Sequence, residues 1–365
     1  MSDIAEPRVR ERARAAAATL RALFAVWSPF LLRVLGVLVL GVAATEMLLR
    51  SGPVIERLPV PSIGAGSEIL DFKVEYLERY LRRHGSIDCL FIGPSTVNRA
   101  VDPNLVSASF EAVSGHPLRC FNLGVEGLRL SVALRLIPGL VEHYRPRLLV
   151  LSEFRSGRGR FGKLIDANPW LGQMSGEPSL NGWLIQHVRL VRHFLRLRIW
   201  LLQPALDRRL SGRLSELEST GFMPKVAVPA AQDDASGRRE LTRTLANLRR
   251  MRPLPASLDA LNALAAKPSM PPVMLVEMPI HPRLWAQELG GPNGYLATLD
   301  RVAATGLPLL RSSHLDLVPA QGWKDFRHLN DRGAALFSRW LGTALGEAVA
   351  QRRIPAPSVA EDDGS

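Results

Sequence analysis

The sequence predicts an α/β protein, a three-layer sandwich around a mainly parallel central sheet, with one transmembrane helix at its N-terminus. Three observations lead there. Short apolar runs alternate with helical stretches, the form of strands buried on both faces and joined by crossover helices. One run near the N-terminus is long and apolar enough to cross a bilayer. The composition, 47% hydrophobic and 22% charged over 365 residues, excludes both a disordered chain and a polytopic membrane protein.

Residues 1–22 read as a basic leader, in which Arg8, Arg10, Arg12, Arg14 and Arg21 stand against Asp3, Glu6 and Glu11. The apolar stretch 23–45 follows, inside an anchor assigned to residues 23–49. Arg33 is the one charge in that stretch, and burying it at mid-membrane costs about 2–3 kcal/mol. The span therefore shifts towards residues 34–49, which leaves Arg33 to snorkel at the inner interface and puts Glu46 near the far end. Arginines ahead of a span place the N-terminus in the cytoplasm and export the remainder. Val42-Ala43-Ala44 also fits a signal-peptide cleavage site. The long charged leader favours an uncleaved anchor over that reading and over a buried soluble helix.

Residues 50–66, with their Pro and Gly, read as a linker, and residues 67–350 as one domain. Its first element is an amphipathic helix over 69–83. Residues 88–92, ending at Gly93, form the first strand. The second strand covers 118–123, a helix 130–143 and the third strand 147–151. The fourth strand covers 272–278, a weak fifth 307–311, and an Ala- and Leu-rich helix 333–349 closes the domain. Between the third and fourth strands lies an insertion of about 152–270. Its section 183–202 is apolar yet carries Arg189, Arg192, Arg196 and Arg198. Such a segment either lies on a membrane surface or packs on the domain with its arginines at the rim; four charges oppose a second span. Residues 351–365 read as a disordered tail.

The net charge of +12, from 46 Lys and Arg against 34 Asp and Glu, suits nucleic acid, anionic lipid or an acidic glycan. Aromatic residues are only 6%, and no zinc-finger, RNA-binding or helix-turn-helix signature appears, so nucleic acid is set aside. Two cysteines, Cys89 and Cys120, exclude a disulfide-stapled fold and a cysteine-rich metal site. On neighbouring strands, both facing inward, they read as buried thiols, although export permits a disulfide.

Three places hold residues capable of chemistry. Gly93-Pro94-Ser95 follows the first strand, where open α/β sheets place their sites. Gly93 allows a tight turn, and the next helix N-terminus offers N–H groups to an oxyanion. The second is Asn122-Leu123-Gly124-Val125-Glu126-Gly127, whose glycines permit close backbone approach to a ligand. The third is Asp325-Phe326-Arg327-His328-Leu329-Asn330, running on to Gly333 and the last helix. An aspartate three residues before a histidine can orient the imidazole as it accepts a serine proton. Any single Asp-x-x-His is also a common way to cap a helix. Glu126 and Glu277, near strand ends, are candidates for the cleft wall; His281 and His314 have no metal-ligand spacing and read as surface or rim residues. No metal, nucleotide or other cofactor is indicated.

In their order these blocks resemble the SGNH (GDSL-like) hydrolase superfamily: a serine block after strand one, Asn-x-x-x-x-Gly after strand two, and Asp-x-x-His before the last helix. The resemblance covers roughly residues 86–345, the insertion apart, and implies a flavodoxin-like α/β/α fold. It implies Ser95 as nucleophile, His328 as base and Asp325 as its orienter. Backbone N–H groups of Ser95 and Gly127 would line an oxyanion hole, with Asn122 and Gly124 beside the substrate. The superfamily's Gly-x-Asn-Asp block after strand three is replaced here by Leu151-Ser152-Glu153-Phe154-Arg155-Ser156. The asparagine donor is missing, and Arg155 and Ser156 are the nearby substitutes.

With its anchor, the chain looks more like the exported branch that includes alginate O-acetylation proteins and the D-alanyl-lipoteichoic-acid transfer protein. That implies a bacterial inner-membrane protein, single-pass, with its domain in the periplasm or outside. It implies acyl-ester hydrolysis or transfer on a surface polysaccharide, beside a membrane-bound O-acyltransferase. A non-catalytic scaffold holding glycan or that acyltransferase is the competing expectation; the missing asparagine supports it and the three retained triad residues oppose it.

Overall fold

A computed structural model describes residues 5–64, 68–152, 154, 159–205, 207–208, 217–224, 235–249, 255–285, 295–312 and 316–355. Contacts divide the chain into two units, Met1–Pro59 with Val188–Leu190, and Val60–His187 with Val191–Ser365.

In the smaller unit, helix α1 (Ala5–Arg50) runs without a break through the basic leader and the apolar stretch. Ser28–Arg50 within it is long and apolar enough to cross a membrane, and no other helix among the described residues is. None of its most apolar window is buried. Arg33 lies five residues inside this span and is exposed. Glu46, near the other end, accepts the backbone N–H groups of Arg189 and Leu190, each at 2.9 Å. Helix α2 (Gly52–Arg57) follows.

Within the segment read as a linker, 50–66, the described residues are ordered by helix and packing. Its first half is largely helical, and Val60 and Ile63 are buried core residues of the larger unit. Ser62 Oγ donates to Asp71, Ser62 N donates to the Arg192 carbonyl at 3.2 Å, and Asn168 Nδ2 donates to the Ile63 carbonyl at 3.0 Å. Apolar side chains two or three residues apart in a Pro-rich segment carry no period, so the sequence reads as a tether while packing makes it core.

The larger unit starts with α3 (Glu68–His84) and β1 (Cys89–Gly93), then α4 (Ser95–Ala100) and α5 (Pro103–Ser114). Strand β2 (Cys120–Gly124), α6 (Leu130–Tyr144) and β3 (Leu148–Leu151) complete the first half. The insertion supplies α7 (Gly159–Ala167), α8 (Pro169–Met174), α9 (Leu180–His187), α10 (from Arg189 to Leu202), α11 (Ala235–Arg249) and α12 (Pro255–Ala265). Strand β4 (Val273–Val276), α13 (Pro282–Trp285), α14 (Tyr295–Ala303), β5 (Leu309–Leu310) and α15 (Asp331–Ala350) finish the fold. The section read as one segment over 183–202 is two helices that meet at Val188.

The five strands form one parallel sheet in the order β2-β1-β3-β4-β5. Every residue of β1, β2, β3 and β4 is buried, as continuous apolar runs require. Successive side chains point to opposite faces. Leu90, Ile92, Leu149, Leu151 and Leu275 accordingly join one apolar cluster with residues of α3, α6, α8 and α12. Cys89, Phe91, Leu148, Val150 and Met274 join a second, with residues of α5 and α15. Cys89 pairs in register with Cys120, and both are buried free thiols.

The strand order reverses direction at β1, which has β2 on one side and β3 on the other. Chains leaving β1 and β3 diverge there and open a crevice at the strands' C-terminal ends. Ser95 is two residues past the end of β1.

Candidate active site

Ser95 opens α4, with Pro94 in an extended conformation as its N-cap. Gly93 makes the turn possible, because a Cβ there would lie 2.3 Å from Val97 Cγ2. The loops after β2 and β3 are tied to the same strand end: Val125 N donates to Gly93 O at 2.8 Å, and Ser152 N to Ile92 O at 3.0 Å.

Asp325 and His328 lie on a narrow loop closed by a bridge between Trp323 and Leu329. Asp325 Oδ1 accepts the backbone N–H groups of Arg327 and His328, both at 2.8 Å. This turn brings the carboxylate to the imidazole, with Nδ1 of His328 at 2.9 Å from Oδ2 and 3.0 Å from Oδ1. Burial pushes the Asp325 carboxyl upward, but the hydrogen bond and charge of His328 and the two amides outweigh it and hold it below the usual range. A carboxylate can only accept, so Nδ1 carries the proton and Nε2 presents its lone pair. That lone pair faces Ser95 Oγ at 2.9 Å, across 233 residues of sequence. The His328 and Asp325 side chains are about a quarter exposed, at 25% and 26%, so the relay is reached from solvent.

The motif that continues past His328 is explained by its contacts. Asn330 caps α15 by accepting from Gly333 N at 3.0 Å, and its Nδ2 donates to Gln321 O at 2.7 Å. Gly333 must be glycine, since a Cβ would sit 2.0 Å from Gly322 O.

The second block is placed differently from expectation. Asn122 is fully buried and does not reach a substrate. Its Nδ2 donates to the carbonyls of Val97 and Val101 at 2.9 and 2.6 Å, and its Oδ1 accepts from Gly124 N at 2.8 Å. Gly124 is likewise buried, and its missing Cβ is what lets Asn98 N approach, at 2.5 Å from where that Cβ would be. Both residues hold the loop around Ser95 rather than line the cleft. Gly127 is exposed and left-handed at φ 79°, a conformation suited to glycine.

Other candidates are also redistributed. Glu126 is exposed and 3.7 Å from the guanidinium of the buried Arg99. Glu277 is not in a cleft wall: it is fully buried and accepts from Ser312 N at 3.0 Å, tying the ends of β4 and β5. His281 is not a surface or rim residue either, being only 1% exposed. Its Nδ1 accepts from Arg283 N at 3.1 Å, and its ring packs 5.1 Å from Trp323 and 4.8 Å from Phe326. Burial and the charge of Arg283 push its pKa down to about 4, against a smaller upward pull from Asp325. A neutral imidazole thus backs the loop that presents Asp325 and His328. Glu153, Arg155, Ser156, His314 and the tail beyond Pro355 lie outside the described residues.

Sequence reading missed three contributors. Lys73 is fully buried in α3 and donates from Nζ to the carbonyl and Oδ1 of Asn122, at 3.0 and 3.3 Å. The insertion returns at Thr220, whose carbonyl accepts from Asn122 N at 2.9 Å, and Met223 N donates to Asn98 O. Arg327 Nε donates to Thr244 in α11 at 3.2 Å. A lone lysine in an amphipathic helix gives no sign that it will be buried beneath a strand end 49 residues away. A cavity of about 700 Å³ at the strands' N-terminal ends, lined by Leu118, Arg147, Leu148 and Pro271, includes none of the three relay residues.

No protein-family description matches the chain, and no curated protein is significantly similar to it.

Proposed function

We propose that this chain is a membrane-anchored serine acyl-esterase or O-acyltransferase of the SGNH-like type, a three-layer α/β/α sandwich acting on a cell-surface polysaccharide. One observation carries the reading: the hydrogen-bonded relay from Ser95 through His328 to Asp325, mounted at the switch point of a parallel sheet. A free serine hydroxyl is a poor nucleophile at neutral pH. Here its proton passes to His328 Nε2 as Oγ attacks an ester carbonyl, and Asp325 stabilises the imidazolium that forms. The tetrahedral oxyanion collapses to an acyl-serine as the alcohol leaves with the proton held on Nε2. Water or a glycan hydroxyl then gives its proton to His328 and takes the acyl group, and Ser95 Oγ leaves with that proton from Nε2, so hydrolysis and transfer share every residue named. Backbone N–H groups of Ser95 and Gly127 are the oxyanion donors in this scheme.

The alternative is a scaffold that holds glycan or a membrane-bound acyltransferase without turnover, and Ser152 at the position of the superfamily's asparagine block favours it. A serine-directed fluorophosphonate discriminates between them. Covalent labelling that is lost in Ser95→Ala is the expected result. A folded wild-type protein that stays unlabelled at high probe concentration would replace the enzyme reading with the scaffold.

A further inference from the structure

Helix α10 carries apolar side chains outward as well as inward, where Val191, Leu195 and Ile199 pack on the core. On a soluble amphipathic helix, charge faces water and apolar side chains face the domain. On α10, Arg192 is 2% exposed and Arg196 is also turned inward; they pair with Glu78 and Asp207, both at 2.7 Å. Phe194, Leu197 and Leu201, at the 3- and 4-residue spacing of one helix face, are 62%, 48% and 59% exposed. Trp200 and Leu202 extend the face, and Trp183 of α9 is exposed as well. Outside the span, seven of the ten exposed large apolar residues among the described residues fall between Leu180 and Leu202. Scattered exposure is ordinary, but a concentration of this kind marks a surface that is covered in use.

We propose that this face lies in the lipid headgroup region of the membrane that holds the apolar span, so that the protein touches its bilayer at two places. The inference rests on the anchor reading made above. Three observations choose lipid over a protein partner. The backbone N–H groups of Arg189 and Leu190, the first residues of α10, bond to Glu46 near the end of the span. The larger unit begins at Val60, ten residues after the span's end at Arg50, so its start is tethered within about 35 Å of the bilayer. Trp183 and Trp200, with the exposed Arg198, are the residue types that settle at headgroup depth.

The test uses the full chain reconstituted in vesicles of phosphatidylcholine and phosphatidylglycerol. Single cysteines replace Val37, Val113, Leu197 or Leu201 and carry an environment-sensitive nitrobenzoxadiazole label; the native thiols are buried and remain. Labels at Leu197 and Leu201 should lose about half their emission when the lipids are brominated at shallow depth. The label at Val37 should be quenched by deep bromines, and that at exposed Val113 by neither. Quenching at Val37 without quenching at Leu197 and Leu201 overturns the proposal and leaves the anchor standing. No quenching at Val37 removes the anchor reading and this inference with it. Labels at Leu197 and Leu201 that are shielded from water but unquenched show a protein partner or a second copy on the face, which also overturns it.

Discussion

In the proposed reaction each residue of the relay has a separable task, so their replacements should rank. Ser95→Ala removes the nucleophile and His328→Ala the proton carrier, and each should cut aryl-ester turnover by roughly 10⁴-fold or more. Asp325→Ala leaves both in place and should be about ten- to a hundredfold milder, with double variants no worse than Ser95→Ala alone. Asn122→Ala separates a structural from a substrate-binding role. It leaves the carbonyls of Val97 and Val101 without their donor and takes one of the two Asn122 acceptors from the buried Lys73, so thermal unfolding should show a loss of about 2–4 kcal/mol. His281 gives a pH signature. Its folded pKa of about 4 lies below the ordinary 6.5, so the unfolded chain takes up a proton that the folded one refuses. Stability should therefore be complete above about 6.5 and fall as pH drops towards 4. Burial lowers His84 and His143 too, so denaturant titrations should be compared between wild type and His281→Asn, where those contributions cancel. An unchanged slope in the variant would show that His281 is not the group responsible.

At the scale of elements, the start of α15 governs the relay. Asn330 caps the helix and grips Gln321, and Gly333 lets the turn at Gly322 close against it. Asn330→Ala should cost about 1–2 kcal/mol. Gly333→Ala should cost more, because its Cβ meets backbone rather than a movable side chain. Both should lower kcat beyond their effect on stability, since the loop from Trp323 to Leu329 hangs from this contact. Circular dichroism melts with turnover measured well below the transition would check both parts. The β2 loop has the same logic on the other side of the crevice, where Gly124 lets Asn98 approach and Asn122 spans the gap between strand and helix.

For the whole molecule, the arginines ahead of the span predict a cytoplasmic N-terminus and an exported domain. Protease added to spheroplasts should digest a C-terminal tag, and protection in sealed spheroplasts would reverse the orientation. What the sequence by itself determined was local and periodic: the apolar span, the strand runs around Cys89, Cys120, Leu148 and Val273, the helix that follows Asn330, and the Asp-x-x-His turn. Each of these is set by neighbours within a few residues, so periodicity and spacing suffice to read it. Only the tertiary structure decided which long-range partners each side chain met. It joined Ser95 to His328 across 233 residues, turned Asn122 inward onto Lys73, buried His281 behind the loop, and drew Arg192 into the domain while leaving Phe194 outside. The energy of a buried polar group depends on the partner that satisfies it. Where that partner lies dozens or hundreds of residues away, no local pattern encodes it, and the packed fold alone assigns it.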